Sequence, residues 1–173
     1  MAVLSVDSTR SKANVFEEVG KYLQAEGFRI AAQDFERPWG GFFVIDESQI
    51  REFQRKFFPE ITLSEEQFAQ KLSPKFLVVA PEARLSWQYH HRRAELWNLL
   101  AGKSSISRSE NDQEGPVVEM EQGKVVSLRQ GERHRLIGTD SWGVVAEIWM
   151  HTDSAYPSDE SDIVRLQDDY SRT

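Results

Sequence analysis

Four side chains of metal-binding type fall in two short stretches of the chain. In the first, Arg84 to Gly102, the residues Gln88, His90 and Glu95 stand in the order Gln-x-His-x4-Glu, and Gly102 follows after six further residues. If Trp87 to His90 forms a strand, alternation sets Gln88 and His90 on one face and Trp87 and Tyr89 on the other. A turn through Arg92 and Arg93 returns the chain, so that Glu95 on the next strand aims at the same point. An amide oxygen, an imidazole nitrogen and a carboxylate converging there are three ligands for a divalent cation. The second stretch, Gly123 to Gly138, supplies a fourth ligand in His134, three residues after Gly131.

A lone histidine more often closes a core hydrogen bond than a metal shell. Here the chain has 4 histidines, and His90, His91 and His134 all lie in these two stretches, a concentration that packing does not demand. Gln, two His and one Glu carry a single negative charge. A bound divalent ion therefore keeps net positive charge and has positions open to a substrate oxygen. The softness of the donors favours zinc, iron, manganese, nickel or cobalt over calcium.

Arginines 84, 92, 93, 133 and 135 flank the ligands. A guanidinium suits a phosphate through two parallel hydrogen bonds, although for any one of them an ion pair with the abundant Asp and Glu is the plainer reading. Arg93 stands out because it lies between His90 and Glu95. Glu147 interrupts the apolar run Trp142 to Met150. A carboxylate there must be hydrogen-bonded, paired or in a wet cavity, where a raised pKa suits proton transfer. An outward glutamate paired with an arginine is the alternative. His91 is a second candidate base, although alternation turns it away from His90.

The elements that must position these residues follow from periodicity. Residues 11–26 place Val15, Phe16, Val19, Tyr22 and Leu23 at helical spacing, with Gly27 as a stop. Pro38 to Gly41 is a turn before a strand over Phe42 to Ile45. Asp46 to Ser48 caps a second helix carrying Ile50, Phe53, Phe57 and Phe58, ended by Pro59. Ser64 and Gln67 have capping-box spacing for a short third helix with Phe68 and Leu72 buried. After Pro74 come short apolar runs at Lys75 to Ala80, Leu85 to His90, Glu95 to Leu100, Ser104 to Ser109, Val117 to Met120, Lys124 to Leu128, His134 to Ile137 and Gly143 to Met150. Strands spaced in this way indicate a sandwich or small barrel, not alternating βαβ units. The expected division is a helix-and-strand extension over 1–74, a barrel core over 75–150 and a wrapping tail over 151–173, all in one domain.

Composition narrows the partners. A chain of 173 residues with 39% hydrophobic and 28% charged residues suits one globular domain with a full core. A net charge of −7 argues against nucleic acid or an anionic membrane as the main partner. With 0 cysteines there is no disulfide frame, thiolate metal site or thiol nucleophile. No apolar run reaches membrane-spanning length and the N-terminal one is too short for a signal peptide, so the cytoplasm is the expected compartment. The edge strands of an open barrel invite pairing, and a homodimer is expected on that ground.

The two stretches resemble the two sequence motifs of the cupins, with Gln88 where many cupins have the first histidine. Arg129 replaces the usual proline of the second motif, and Gly138 its terminal asparagine. More specifically, the run LSWQYHHRRAELW, the Arg-Pro-Trp-Gly of Arg37 to Gly40 and the closing Asp162 to Arg172 are similar to the isomerase half of bifunctional mannose-1-phosphate guanylyltransferase/mannose-6-phosphate isomerases. The likeness spans roughly residues 36–172. Arg92 stands where that family has a further histidine, and Ser171 where it has a glycine. The resemblance implies a cupin-type antiparallel β-barrel (jelly roll) with the helices packed outside, and zinc as the metal. It also implies a sugar-phosphate isomerase interconverting mannose 6-phosphate and fructose 6-phosphate, with Arg93, Lys75 and Arg172 on the substrate. No stretch resembles the nucleotidyltransferase half, and guanylyl transfer is not expected. The departures keep two alternatives open: a sugar-binding or sensing cupin without turnover, and an isomerase of a heptose or pentose phosphate.

Overall fold

The computed structural model describes residues 4–172. Met1 to Val3, where the N-terminal apolar run begins, and Thr173 at the end of the tail lie outside the described residues. Helix α1 (Lys12–Ala25) is capped by Ser11, whose hydroxyl accepts from the Asn14 N–H, and it buries Val15, Phe16, Val19 and Leu23. The hairpin β1 (Ile30–Arg37) and β2 (Gly40–Ile45) follows. A 3-10 turn over Glu47–Gln49, capped by the Asp46 carboxylate, leads into α2 (Ile50–Phe57), and its buried Ile50, Phe53 and Phe57 form the expected stripe. Helix α3 (Glu65–Phe68) carries the full capping box between Ser64 and Gln67. It is a single turn, so Leu72 is buried beyond it and not on it.

The body is antiparallel β structure: β3 (Lys75–Val79), β4 (Trp87–Tyr89), β5 (Arg93–Ser109), β6 (Val117–Glu119), β7 (Val126–Leu128), β8 (Arg133–His151) and β9 (Val164–Gln167). Four runs expected as separate strands are in fact two long ones. Strands β5 and β8 pair along their whole lengths, with register shifts between Leu99 and Ala101 and between Gly102 and Ser104. At the second shift Gly102 lies opposite Gly143. Gly102 has φ +70°, and a Cβ there would sit 1.8 Å from the Trp142 carbonyl oxygen, so only glycine fits the bend. Read locally, these glycines look like turn residues. In the fold they let each strand bend from one half of the sheet into the other.

The first half runs β1-β2-β3, then the C-terminal part of β8, the N-terminal part of β5, and β7. The second half holds β9 and β4, then the N-terminal part of β8, the C-terminal part of β5, and β6. Within the N-terminal extension, β1 and β2 join the first half beside β3. The tail likewise enters the sheet through β9.

Alternation divides the side chains between two cores. On β3, Phe76 and Val78 join the helices in one cluster, while Leu77 and Val79 join the other between the two halves. On β8, Val144, Ala146 and Ile148 face the helices, and Val145 faces inward. The inner face thus continues from Leu77 to Lys75 on β3 and from Val145 to Glu147 on β8. That places two chargeable side chains in the interior by period alone. Asn98 fastens the helical layer to the sheet by donating to the Phe57 carbonyl at 2.6 Å.

Candidate metal centre and its cavity

Cross-strand register assembles the candidate ligands. Gln88 on β4 lies directly opposite His134 on β8, and Glu95 comes from β5 in the facing half of the sheet. The loop between β7 and β8 is tied to the end of β4 by the Gly131 N–H, which donates to the His90 carbonyl at 3.0 Å. The result is a buried triad of His90, Glu95 and His134 whose ligand atoms all lie within 4.8 Å of one another. His90 Nε2 is 3.2 Å and His134 Nε2 3.1 Å from the same oxygen, Glu95 Oε1.

The outer ring nitrogens decide the protonation pattern. His90 Nδ1 lies 2.6 Å from the Asp162 carbonyl oxygen, and His134 Nδ1 lies 2.9 Å from that of Glu132. A carbonyl only accepts, so both Nδ1 atoms carry the proton, and in neutral rings both Nε2 atoms present lone pairs. Two lone pairs then converge on a carboxylate oxygen. Glu95 Oε1 and His134 Nε2 are indeed buried without a hydrogen bond. Arg93 Nη2 approaches His90 Nε2 at 3.5 Å, and the remaining acceptors facing one another in a dry interior call for a positive charge, which a proton or a metal ion supplies; a divalent metal suits this donor set. Gln88 is buried at the same point, where its Oε1 accepts from Ser86 Oγ at 2.9 Å.

Arg93 braces the triad. Its Nε is 3.2 Å from Glu95 Oε2, its Nη1 donates to Ser158 Oγ at 2.9 Å and to the Asp159 carbonyl at 3.0 Å, and the guanidinium lies 3.9 Å over the Trp149 ring. Burial pushes the Glu95 carboxyl up. The positive charge around it, that of Arg93 included, outweighs burial and holds the group well below the ordinary carboxylate range.

A cavity of about 120 Å³ opens beside the triad, lined among others by Gln88, His90, Arg93, Glu95, Lys75 and Glu147. Lys75, Glu147 and Trp97 stand abreast across β3, β8 and β5. Both Glu147 oxygens are held by indole N–H donors, Oε2 by Trp97 at 2.8 Å and Oε1 by Trp149 at 3.2 Å. Burial, and then the Glu95 charge, push the Glu147 carboxyl up to about 7. Lys75 Nζ is 4.5 Å over Trp149 and bonds Glu160 Oε1 of the tail at 2.6 Å.

The remaining sequence candidates sit apart from this cluster. Arg172 lines the cavity while donating from Nε and Nη2 to Asp168 at 2.7 and 3.0 Å. His91 does not reach the cavity: it is exposed, with its ring 5.2 Å from that of Tyr89, as alternation past His90 requires. Three contributors were missed. Trp97 and Trp149 fell within runs read only as apolar strands, although the lone carboxylate Glu147, two residues before Trp149, was the available signal. Asp162 supplies the carbonyl for His90, and its carboxylate accepts from the His91 and Arg92 N–H groups and from Ser158 Oγ.

An antiparallel β fold of this kind, carrying inward histidine and glutamate ligands, is that of a cupin. Residues 57–168 match the family described as mannose-6-phosphate isomerase C-terminal, and the chain belongs to that family. The xanthan biosynthesis protein XanB of Xanthomonas campestris pv. campestris is 28% identical over 137 residues, covering 79% of this chain and 23% of that protein. A mannose-1-phosphate guanylyltransferase of Salmonella montevideo is 27% identical over 143 residues, covering 83% of this chain and 24% of its own length. The chain thus spans about a quarter of these curated relatives. Among solved structures, the capsular polysaccharide assembling protein CapF of Staphylococcus aureus matches with TM-score 0.53 at 15% identity, over 90% of this chain and 37% of that one. Oxalate decarboxylase of Bacillus subtilis matches with TM-score 0.53 at 15% identity, over 78% of this chain and 30% of that one. These two share the fold. No helix among the described residues is long and apolar enough to cross a membrane.

Proposed function

We propose that this chain is a metal-dependent aldose–ketose isomerase of a sugar phosphate, interconverting mannose 6-phosphate and fructose 6-phosphate. One observation carries the reading: a buried His90–Glu95–His134 triad fit to hold a cation, with the carboxyl of Glu147 at about 7 in the same cavity. Gln88, His90, Glu95 and His134 would hold the metal, with zinc as the family expectation. When bound, a divalent ion stabilises negative charge developing on substrate oxygens. Isomerisation moves one proton between C2 and C1 and another between O2 and O1; Glu147 at about 7 is matched to carry the first near neutral pH, the second passing through solvent water. Trp97 and Trp149 aim the carboxyl, Arg93 braces Glu95, and Lys75 and Arg172 present positive charge to the substrate. His91, outside the cavity, has no part in the chemistry.

A second reading, a sugar-binding cupin without turnover, draws on the small cavity and on Glu160, which occupies Lys75. A coupled assay separates them. Metal-stripped protein reloaded with zinc, manganese, cobalt, nickel or iron(II) is offered a panel of hexose, pentose and heptose phosphates. The isomerase reading expects turnover of mannose 6-phosphate that depends on metal, and its loss in Glu147→Gln at unchanged metal content. Saturable binding with no turnover of any sugar phosphate at full metal content replaces it with the second reading.

A further inference from the structure

The proposed function needs a receptor for a phosphate, and Arg93 is poorly placed to be one. Its Nε faces Glu95, its Nη1 serves Ser158 and Asp159, and one face is covered by Trp149. Three other arginines line the same cavity: Arg37, Arg165 and Arg172. They come from two distant parts of the chain: Arg37 from the end of β1, and Arg165 and Arg172 from the tail, on β9 and just after it. Their convergence is therefore a property of the fold and not of a local charge run.

Register places them relative to the metal ligands. Arg165 on β9 lies directly opposite Gln88 on β4, which in turn lies opposite His134 on β8. Residues directly paired across antiparallel strands project to the same face. His134, Gln88 and Arg165 thus form one row, running from the triad outward, with a guanidinium at its far end. Arg37 and Arg172 border the same cavity. Arg37 Nε lies 3.1 Å from Asp34 Oδ2 yet is buried without an aligned hydrogen bond. Arg172 is held rigidly by Asp168, whose carboxyl that arginine draws down to about 2.

Burial of the Arg165 guanidinium and the nearby charges of Arg172 and Arg37 oppose its positive charge. Asp34 and Asp168 offset part of this clustered charge, and an anion bound at the rim would offset more of it. The rim also shows its preference in place, for the buried Lys75 ammonium beside it already holds a carboxylate, that of Glu160. This cationic rim belongs to a chain whose net charge is −7.

We propose that Arg37, Arg165 and Arg172 form the subsite for the phosphate monoester of the substrate, with the sugar between them and the His90–Glu95–His134 triad. This rests on the sugar-phosphate reading above and moves the phosphate contact from Arg93 to the cavity rim. Arg37 and Arg165 become specificity-determining residues, and discrimination between a phosphorylated and a free sugar resides in them.

The test is calorimetric titration of the full metal-loaded chain with fructose 6-phosphate and with fructose, for wild type, Arg37→Gln, Arg165→Gln and Arg165→Lys. Wild type is expected to prefer the phosphorylated sugar. Each glutamine variant should weaken fructose 6-phosphate binding by about tenfold to hundredfold, with affinity for fructose and metal content unchanged. Arg165→Lys should recover part of the loss, because the charge remains without the fork. Glutamine variants that keep the full preference overturn the subsite while leaving the sugar-phosphate reading standing. A wild type with no preference for the phosphorylated sugar overturns that reading itself. If Arg165→Gln does not fold, Arg37→Gln, at a half-exposed hairpin position, decides between the same outcomes.

Discussion

Glu147 gives the most direct physical test, because its titration is a stability statement that needs no substrate. The folded protein holds this proton up to about pH 7, whereas the ordinary glutamate value is 4.5. Between those values the folded state binds more protons than the unfolded chain, so stability falls as pH rises. The contribution is fully present below the unfolded value, is lost through the folded one, and is level above it. At 1.36 kcal/mol per pKa unit the whole change is about 3 kcal/mol. Glu147→Gln removes the titration. It also sets an amide N–H2 against one of the two indole donors, a cost of about 1–3 kcal/mol that does not vary with pH. The comparison therefore lies in the slope, not the height. Urea unfolding of metal-free protein from about pH 5 to about pH 8 should show wild type losing about 3 kcal/mol more than the variant. In metal-loaded protein the difference should shrink, since the Glu95 charge is the second cause of the shift and the ion offsets it. Parallel stability curves for wild type and Glu147→Gln in the metal-free protein would refute the placement of this carboxyl in a dry, negatively biased cavity.

Two further substitutions test the frame around the site. Arg93→Ala leaves the buried Glu95 carboxylate without its brace and should cost about 3 kcal/mol of stability and weaken metal binding by roughly tenfold to hundredfold. Metal titration and urea unfolding on one preparation check this, and unchanged metal affinity counts against the bracing role. Gly102→Ala forces a Cβ to 1.8 Å from the Trp142 carbonyl oxygen at φ +70°. It should cost at least about 2 kcal/mol, read as a lowered thermal midpoint, and a midpoint equal to wild type would show that the bend tolerates a side chain.

The convergence of His90, Glu95 and His134 was legible because strand alternation and spacing act locally: His90 faces inward by period two, and His134 follows a turn glycine. Glu147 was legible from its isolation in an apolar run. The long strands β5 and β8 were not, because the glycines that bend them carry the same signature as glycines that end a strand. Strand β3 offered no alternation to read, since all five of its residues are buried between the two cores. The roles of Trp97 and Asp162 depend on partners tens of residues away, which only the folded sheet and tail bring together. The same holds for the arginine rim, whose three members come from β1, β9 and the end of the tail.

The carbonyl that fixes the tautomer of His90 belongs to Asp162, 72 residues later in the chain. During synthesis Gln88, His90, Glu95 and His134 all leave the ribosome before that carbonyl and before β9, which flanks β4. A nascent chain therefore carries every ligand with one imidazole still free to turn and to exchange its tautomer. A metal ion would be held loosely by such a chain, so that the completed polypeptide, and not the order of encounter with the growing one, would select among competing metals.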